Sequence, residues 1–178
     1  MNYLFTYTDK DIFNEPEFPV PSKYRKRVTV KSITINDKGD YGFVTNPIHG
    51  FYLLAGGGAE SDDLVAEIKR ECDEELNAEI EVLSEVGMAR DYRNRSSKEY
   101  ETTCFFAKVI GELAKDTRTE DEKNDGLNPV WICKEEAIKI MKEQQEKIKR
   151  KEVNFYNTAF DMARDALFFM EHIRLNGK

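Results

Sequence analysis

Along residues 28 to 110 the apolar rhythm changes from a two-residue period to a period near four and back again. That change predicts strands, then a helix, then strands. Val28 to Ile35 is rich in β-branched residues and reads as a strand. Asn36-Asp37-Lys38-Gly39-Asp40 supplies a turn, and a second strand follows at Tyr41 to Thr45. Asn46 to Gly50 turns again before a short strand, Phe51 to Leu54. From about Asp63 to Leu76 the period lengthens, and Leu64, Ile68, Cys72 and Leu76 form the buried stripe of a helix. Glu67, Glu71 and Glu74 point away from that stripe, with Glu75 at its border. Glu79 to Arg90 and Glu99 to Ile110 read as two long strands joined by a basic loop around Arg93, Asn94 and Arg95. Glu112 to Asp125 is charged and without period, Pro129 to Ile132 is a short strand, and a helix runs from about Lys134 to Arg150.

The two ends differ in kind. Residues 1–22 carry Pro16, Pro19 and Pro21 and are expected to form an irregular N-terminal arm. Residues 152–176 predict a C-terminal helix, from near Asn154 to Leu175, with apolar positions at Tyr156, Phe160, Ala163, Leu167, Met170 and Ile173. Packing on the parent domain is the expected use of that seam, and a homodimer contact is the alternative. No repeat or long linker divides the chain, so residues 1–178 are expected to form one α/β domain with a real core.

Composition narrows the functions. A net charge of −7 argues against general nucleic-acid binding, which leaves a basic footprint. No apolar run approaches about 18 residues, which argues against a membrane span. The N-terminus does not read as a signal peptide. Cys72, Cys104 and Cys133 lack zinc-type spacing and are expected to be reduced thiols in the cytoplasm. His49 and His172 stand alone, so the chemistry falls to carboxylates.

Residues 56 to 78, GGGAESDDLVAEIKRECDEELNA, concentrate those carboxylates. Glu71, Glu74 and Glu75 are spaced i, i+3 and i+4 and are neighbours on one helix. Carboxylates about 4 Å apart repel by roughly 4 kcal/mol per pair at an effective dielectric near 20. A hard cation removes that cost, and Mg²⁺ completed by phosphates suits it. A solvated, salt-bridged helix face is the bland alternative, and the glycine run just upstream tells against it.

This stretch resembles the Nudix hydrolase signature. The family pattern is Gly, five residues, Glu, seven residues, Arg-Glu, an apolar residue, any residue, Glu-Glu, any residue, Gly and an apolar residue. Here Gly56, Asp62, Arg70-Glu71-Cys72-Asp73-Glu74-Glu75, Asn77 and Ala78 take those places. Asn77 for Gly is mild, because both tolerate the left-handed conformation that ends a helix. Counted from Gly57, the first acid becomes Asp63 instead of Asp62, and both registers stay open.

The resemblance implies a Nudix-type α/β/α sandwich with a mixed sheet, here with an extra C-terminal helix. It also implies Mg²⁺-dependent hydrolysis, with Mn²⁺ as a substitute, of a nucleoside diphosphate linked to another group. Glu71, Glu74 and Glu75 would hold the metal, Gly56, Gly57 and Gly58 would approach the phosphates, and Arg70 would orient the glutamates. Glu74 and Glu75 carry over as catalytic, and Asp125 stands where a loop base is expected, with Glu120 and Glu122 as competitors. The rival reading is a catalytically weak Nudix-like nucleotide-binding or regulatory domain. The isoprenoid isomerase branch needs a catalytic cysteine and more histidines than this chain offers. Lys23 to Arg27, together with Arg90, Arg93 and Arg95, either hold the rest of a nucleotide or balance an acidic surface. Tyr3, Phe5, Tyr7 and Phe13 either line a base pocket or anchor the arm.

Overall fold

The computed structural model describes residues 3–15, 17–46, 49–112, 128–153 and 155–176. Among them seven strands build one mixed sheet. β1 is Phe5–Tyr7, β2 Arg25–Ile35, β3 Tyr41–Asn46, β4 Phe51–Leu53, β5 Ala78–Arg93, β6 Lys98–Glu112 and β7 Asn128–Ile132. The helices are α1 Asp9–Ile12, α2 Leu64–Leu76, α3 Lys134–Lys149 and α4 Tyr156–Asn176. The strand order is β1-β5-β6-β2-β3-β4, with β7 on the other edge of β3. β5 and β6 form a long antiparallel hairpin through a short 3₁₀ turn at Asn94–Ser96. β2 lies parallel to β6 from Arg25↔Lys98 to Ile35↔Lys108.

Burial explains why β2 is central. Thr29 to Thr34 are all buried, as expected for a strand covered on both faces. Val30 packs with Phe105, Ile68, Cys72 and Leu76 on the α2 side. Ile33 packs with Cys104, Met141, Phe168 and Phe169 on the α3 and α4 side. The sheet is therefore the middle layer of an α/β/α sandwich.

The N-terminal arm departs from expectation. It contains β1 and α1, because Pro16, Pro19 and Pro21 lie after both elements. β1 gains its order by parallel pairing with β5, Phe5↔Ala89 to Tyr7↔Asp91, and Phe5 packs on Phe168 at 5.1 Å. Phe13 stacks on Tyr156 at 5.3 Å, and Tyr3 lies under Arg90 at 4.0 Å. Those aromatic residues anchor the arm.

α4 packs on its own domain. Tyr156, Phe160 and Ala163 are buried, but so are Ala159, Met162, Ala166, Phe168 and Phe169, while Leu167, Met170 and Ile173 are half-buried. The buried surface is wider than a seam because the sheet, α1 and α3 all touch this helix. No helix among the described residues is long and apolar enough to cross a membrane.

Candidate active site

α2 begins where Asp63 accepts a hydrogen bond from Ala66 N at 3.0 Å, an N-cap arrangement. It ends at Asn77, which adopts the left-handed conformation (φ 54°, ψ 39°) that lets Asn replace Gly there. Asp63 is thus spent on the cap. Asp62 is exposed beside a groove of about 720 Å³ that is also lined by Lys26, Arg27 and Gly58. Among the described residues neither acid pairs with Arg70.

Arg70 instead gathers carboxylates from its own helix. It donates to Glu74 Oε2 at 2.7 Å, to Glu71 Oε1 at 2.6 Å and to Glu67 Oε2 at 3.1 Å. Burial opposes the guanidinium charge, but the bonds to Glu74, Glu67 and Glu71 outweigh it and raise its pKa. Glu71 is buried, and that burial raises its pKa despite the pull of Arg70 and Lys31. The Ser61 hydroxyl holds Glu67 below the usual carboxylate range, with help from Arg70. Glu67, placed by the sequence on the polar face of the helix but not in the site, joins it through Arg70, and no signature position names it. Its signal was the i, i+4 spacing to Glu71.

The glycine run lies antiparallel along β2, with Ser32 N donating to Ala55 O and Val30 N to Gly57 O. Gly56 sits at φ +132°, and a Cβ there would overlap the Val30 carbonyl. A Cβ at Gly57 would lie 2.7 Å from Glu71 Oε1, so this glycine lets the loop close onto the acidic face. Gly56 N donates to Glu75 Oε2 at 2.6 Å. That N–H is therefore committed to α2, unlike the phosphate contact expected of it. Glu75 is oriented by the loop, while Glu71 and Glu74 are oriented by Arg70.

Two further residues hold this loop. Lys31 Nζ donates to Leu54 O at 2.8 Å and to Gly56 O at 2.6 Å, and Asp165 Oδ2 accepts from Leu54 N at 3.0 Å. Their sequence signal was charge inside otherwise buried patterns, at Lys31 within the β2 run and at Asp165 within α4.

The other predicted residues scatter. Asp125, Glu120 and Glu122 lie outside the described residues. Arg93 is buried between Asp91 at 2.6 Å and Asp161 at 2.7 Å, a structural use. Arg90 pairs with Glu99 at 2.9 Å, and Lys26 with Glu101 at 2.7 Å. Arg27 reaches Gly58 at the rim of the glycine loop. His172 is buried against Phe106 at 4.4 Å.

Charge decides whether this face suits a cation. Among the described residues Arg70 binds Glu67, Glu71 and Glu74, Lys31 acts on Glu71, and Gly56 N binds Glu75, so one face concentrates hard anionic oxygens. Among the described residues no three acidic, histidine or cysteine groups form a ready-made metal cage. Mg²⁺ does not require one, because it binds through one or two carboxylates, waters and substrate phosphates. The donor set fits.

No protein-family model and no curated protein matches the chain. Solved structures do. A NUDIX hydrolase from Nitrosomonas europaea is similar at TM-score 0.52 and 15% identity, over 79% of this chain and 89% of that one. A UDP-X diphosphatase is similar at TM-score 0.54 and 13% identity, over 86% of this chain and 66% of that one. A MutT protein from Methanosarcina mazei is similar at TM-score 0.54 and 15% identity, over 89% and 99%. The chain has the fold of the Nudix hydrolases. At that level the resemblance read from residues 56 to 78 is met, and so is the mixed-sheet sandwich with a C-terminal helix.

Proposed function

We propose that the chain is a Mg²⁺-dependent Nudix pyrophosphohydrolase, with Mn²⁺ able to substitute, acting on a nucleoside diphosphate linked to another group. One observation carries this reading: a single face of α2 gathers Glu67, Glu71 and Glu74 around Arg70 and presents Glu75 to Gly56 N of the glycine loop. A fold alone names no activity, but this site has the chemistry of one.

Glu71, Glu74 and Glu75 would hold the metal, which when bound offsets phosphate charge and lowers the pKa of a water. Arg70 fixes Glu71 and Glu74 in one orientation by two short hydrogen bonds. Gly56 does the same for Glu75. Such preorganisation lowers the cost of meeting a charged transition state. Gly57 and Gly58, lacking Cβ atoms, let the Glu71 carboxylate and the Arg27 guanidinium approach the loop backbone, which brings one anion and one cation to the place where a phosphate would lie. Asp125 is assigned as general base from its place in the sequence. Residues 1–178 act as one domain, with the arm and α4 as parts of it. The three free thiols agree with a cytoplasmic setting.

A nucleotide-binding module without turnover is the second reading. It is favoured by Arg70 and Gly56 already engaging the acidic face from within. A panel of nucleotide sugars, ADP-ribose, nucleoside triphosphates, dinucleoside polyphosphates and capped RNA, incubated with Mg²⁺, separates the two. The hydrolase reading expects chromatography to show one of them cut within its diphosphate. Tight binding of one with cleavage of none would replace it with the binding module.

A further inference from the structure

Leu54 and Gly56 have both their N–H and C=O groups bound to charged side chains from three different elements. Lys31 of β2 takes both carbonyls, Asp165 of α4 takes Leu54 N, and Glu75 of α2 takes Gly56 N. We infer that Lys31 and Asp165 are positioning residues, through which the C-terminal helix sets the glycine loop against the acidic face of α2.

Asp165 and Lys31 are both buried, with Nζ 3.9 Å from Oδ2. Asp165 Oδ1 accepts from Arg164 Nε at 2.9 Å. Arg164 reaches Asp161 at 3.1 Å, and Arg93 bridges Asp161 and Asp91 at 2.7 and 2.6 Å. Three cations, Lys31, Arg93 and Arg164, thus meet three anions, Asp91, Asp161 and Asp165, between the sheet and α4. Buried ion pairs stabilise a fold no better than apolar packing of the same volume. Apolar side chains, however, cannot bind the Leu54 N–H or the two loop carbonyls. Holding the loop is the task that requires charge at these positions.

The chemistry also places the ammonium usefully. Lys31 is close enough to Glu71 to oppose the rise that burial gives its pKa, so the same group that grips the loop offsets charge on the acidic face. α4 is therefore part of the site, not an appendage to it. The consequence for turnover rests on the hydrolase reading; the consequence for loop order does not.

The test is a paired replacement, Lys31→Met with Asp165→Leu, which removes one cation and one anion together and leaves Arg93, Arg164, Asp91 and Asp161 in balance. Amide hydrogen exchange by NMR is the readout. Exchange at Leu54 should accelerate about tenfold or more, while α2 amides stay within about threefold of wild type. A control pair, Arg93→Met with Asp161→Leu, breaks the same network without touching the loop and should leave Leu54 unchanged. Unchanged exchange at Leu54 in the first pair, or equal acceleration in the control, overturns the inference. Should the first pair not fold, the wild-type chain still decides. Its Leu54 amide must open with the same exchange rate as the buried amides of α4, and an exchange about tenfold faster contradicts it. With a diphosphate that the wild type cleaves, the first pair should lose kcat by about tenfold with KM little changed. A released loop in a chain that cleaves no diphosphate would sink the hydrolase reading and leave this one standing.

Discussion

Arg70 sits among three carboxylates that would otherwise repel one another, and its removal has a signed consequence. Without the guanidinium, burial and the like charge of Glu74 raise the folded-state pKa of Glu71 further above that of the unfolded chain. The folded state then binds more protons, so stability falls as pH rises through the carboxylate range. Arg70→Met is expected to melt at a higher temperature near pH 5 than near pH 7, and to regain stability at pH 7 with millimolar Mg²⁺. A melting curve series checks both; a pH-independent loss would place Arg70's role elsewhere. The Arg70 contact to Glu74 was legible in the sequence, because helix geometry brings i and i+4 together, whereas the adjacent Glu71 was paired with Arg70 only through the family resemblance. Lys31 and Asp165 were not legible, since only the folded sheet and α4 bring residues 31 and 165 together. That Asp63, and not Asp62, caps α2 is seen only in its bond to Ala66 N.

α4 shows at the scale of an element how pattern and packing diverge. A seam of spacing four and three is visible in the sequence, but contacts from α1, α3 and the sheet bury residues beyond it. Among them is His172, whose burial, aided by the charge of Lys134, depresses its pKa to about 4. Its folded pKa lies below the unfolded value near 6.5, so the unfolded chain binds the extra proton in between. Stability is full above about pH 6.5 and is lost as pH falls toward 4, by an amount on the order of 3 kcal/mol at most. Urea unfolding of His172→Leu should show a flatter profile across that window than wild type. Equal slopes would mean that the ring is protonated in the native state. The arm is the converse case: β1 is too short to be read from three residues, and it exists through its edge pairing with β5.

The whole molecule joins a locally legible half to one that is not. α2 and its flanking strands follow sequence period and caps, whereas the parallel β2–β6 pairing and the place of α4 depend on long-range closure. α4 contributes Phe168 and Phe169 to the core that also holds Ile33, Phe43 and Leu54. Phe168→Ala is expected to cost about 3–5 kcal/mol in chemical denaturation, and a cost under about 1 kcal/mol would show α4 to be loosely docked.

The acidic face of α2 as a diphosphate-hydrolysing site is the central claim, and steady-state turnover tests it most directly. With a diphosphate that the wild type cleaves in Mg²⁺, kcat is compared for wild type, Glu74→Gln and Glu75→Gln, each shown to be folded. Both variants are predicted to lose about a hundredfold or more in kcat. Turnover within about twofold of wild type in both folded variants would contradict the account.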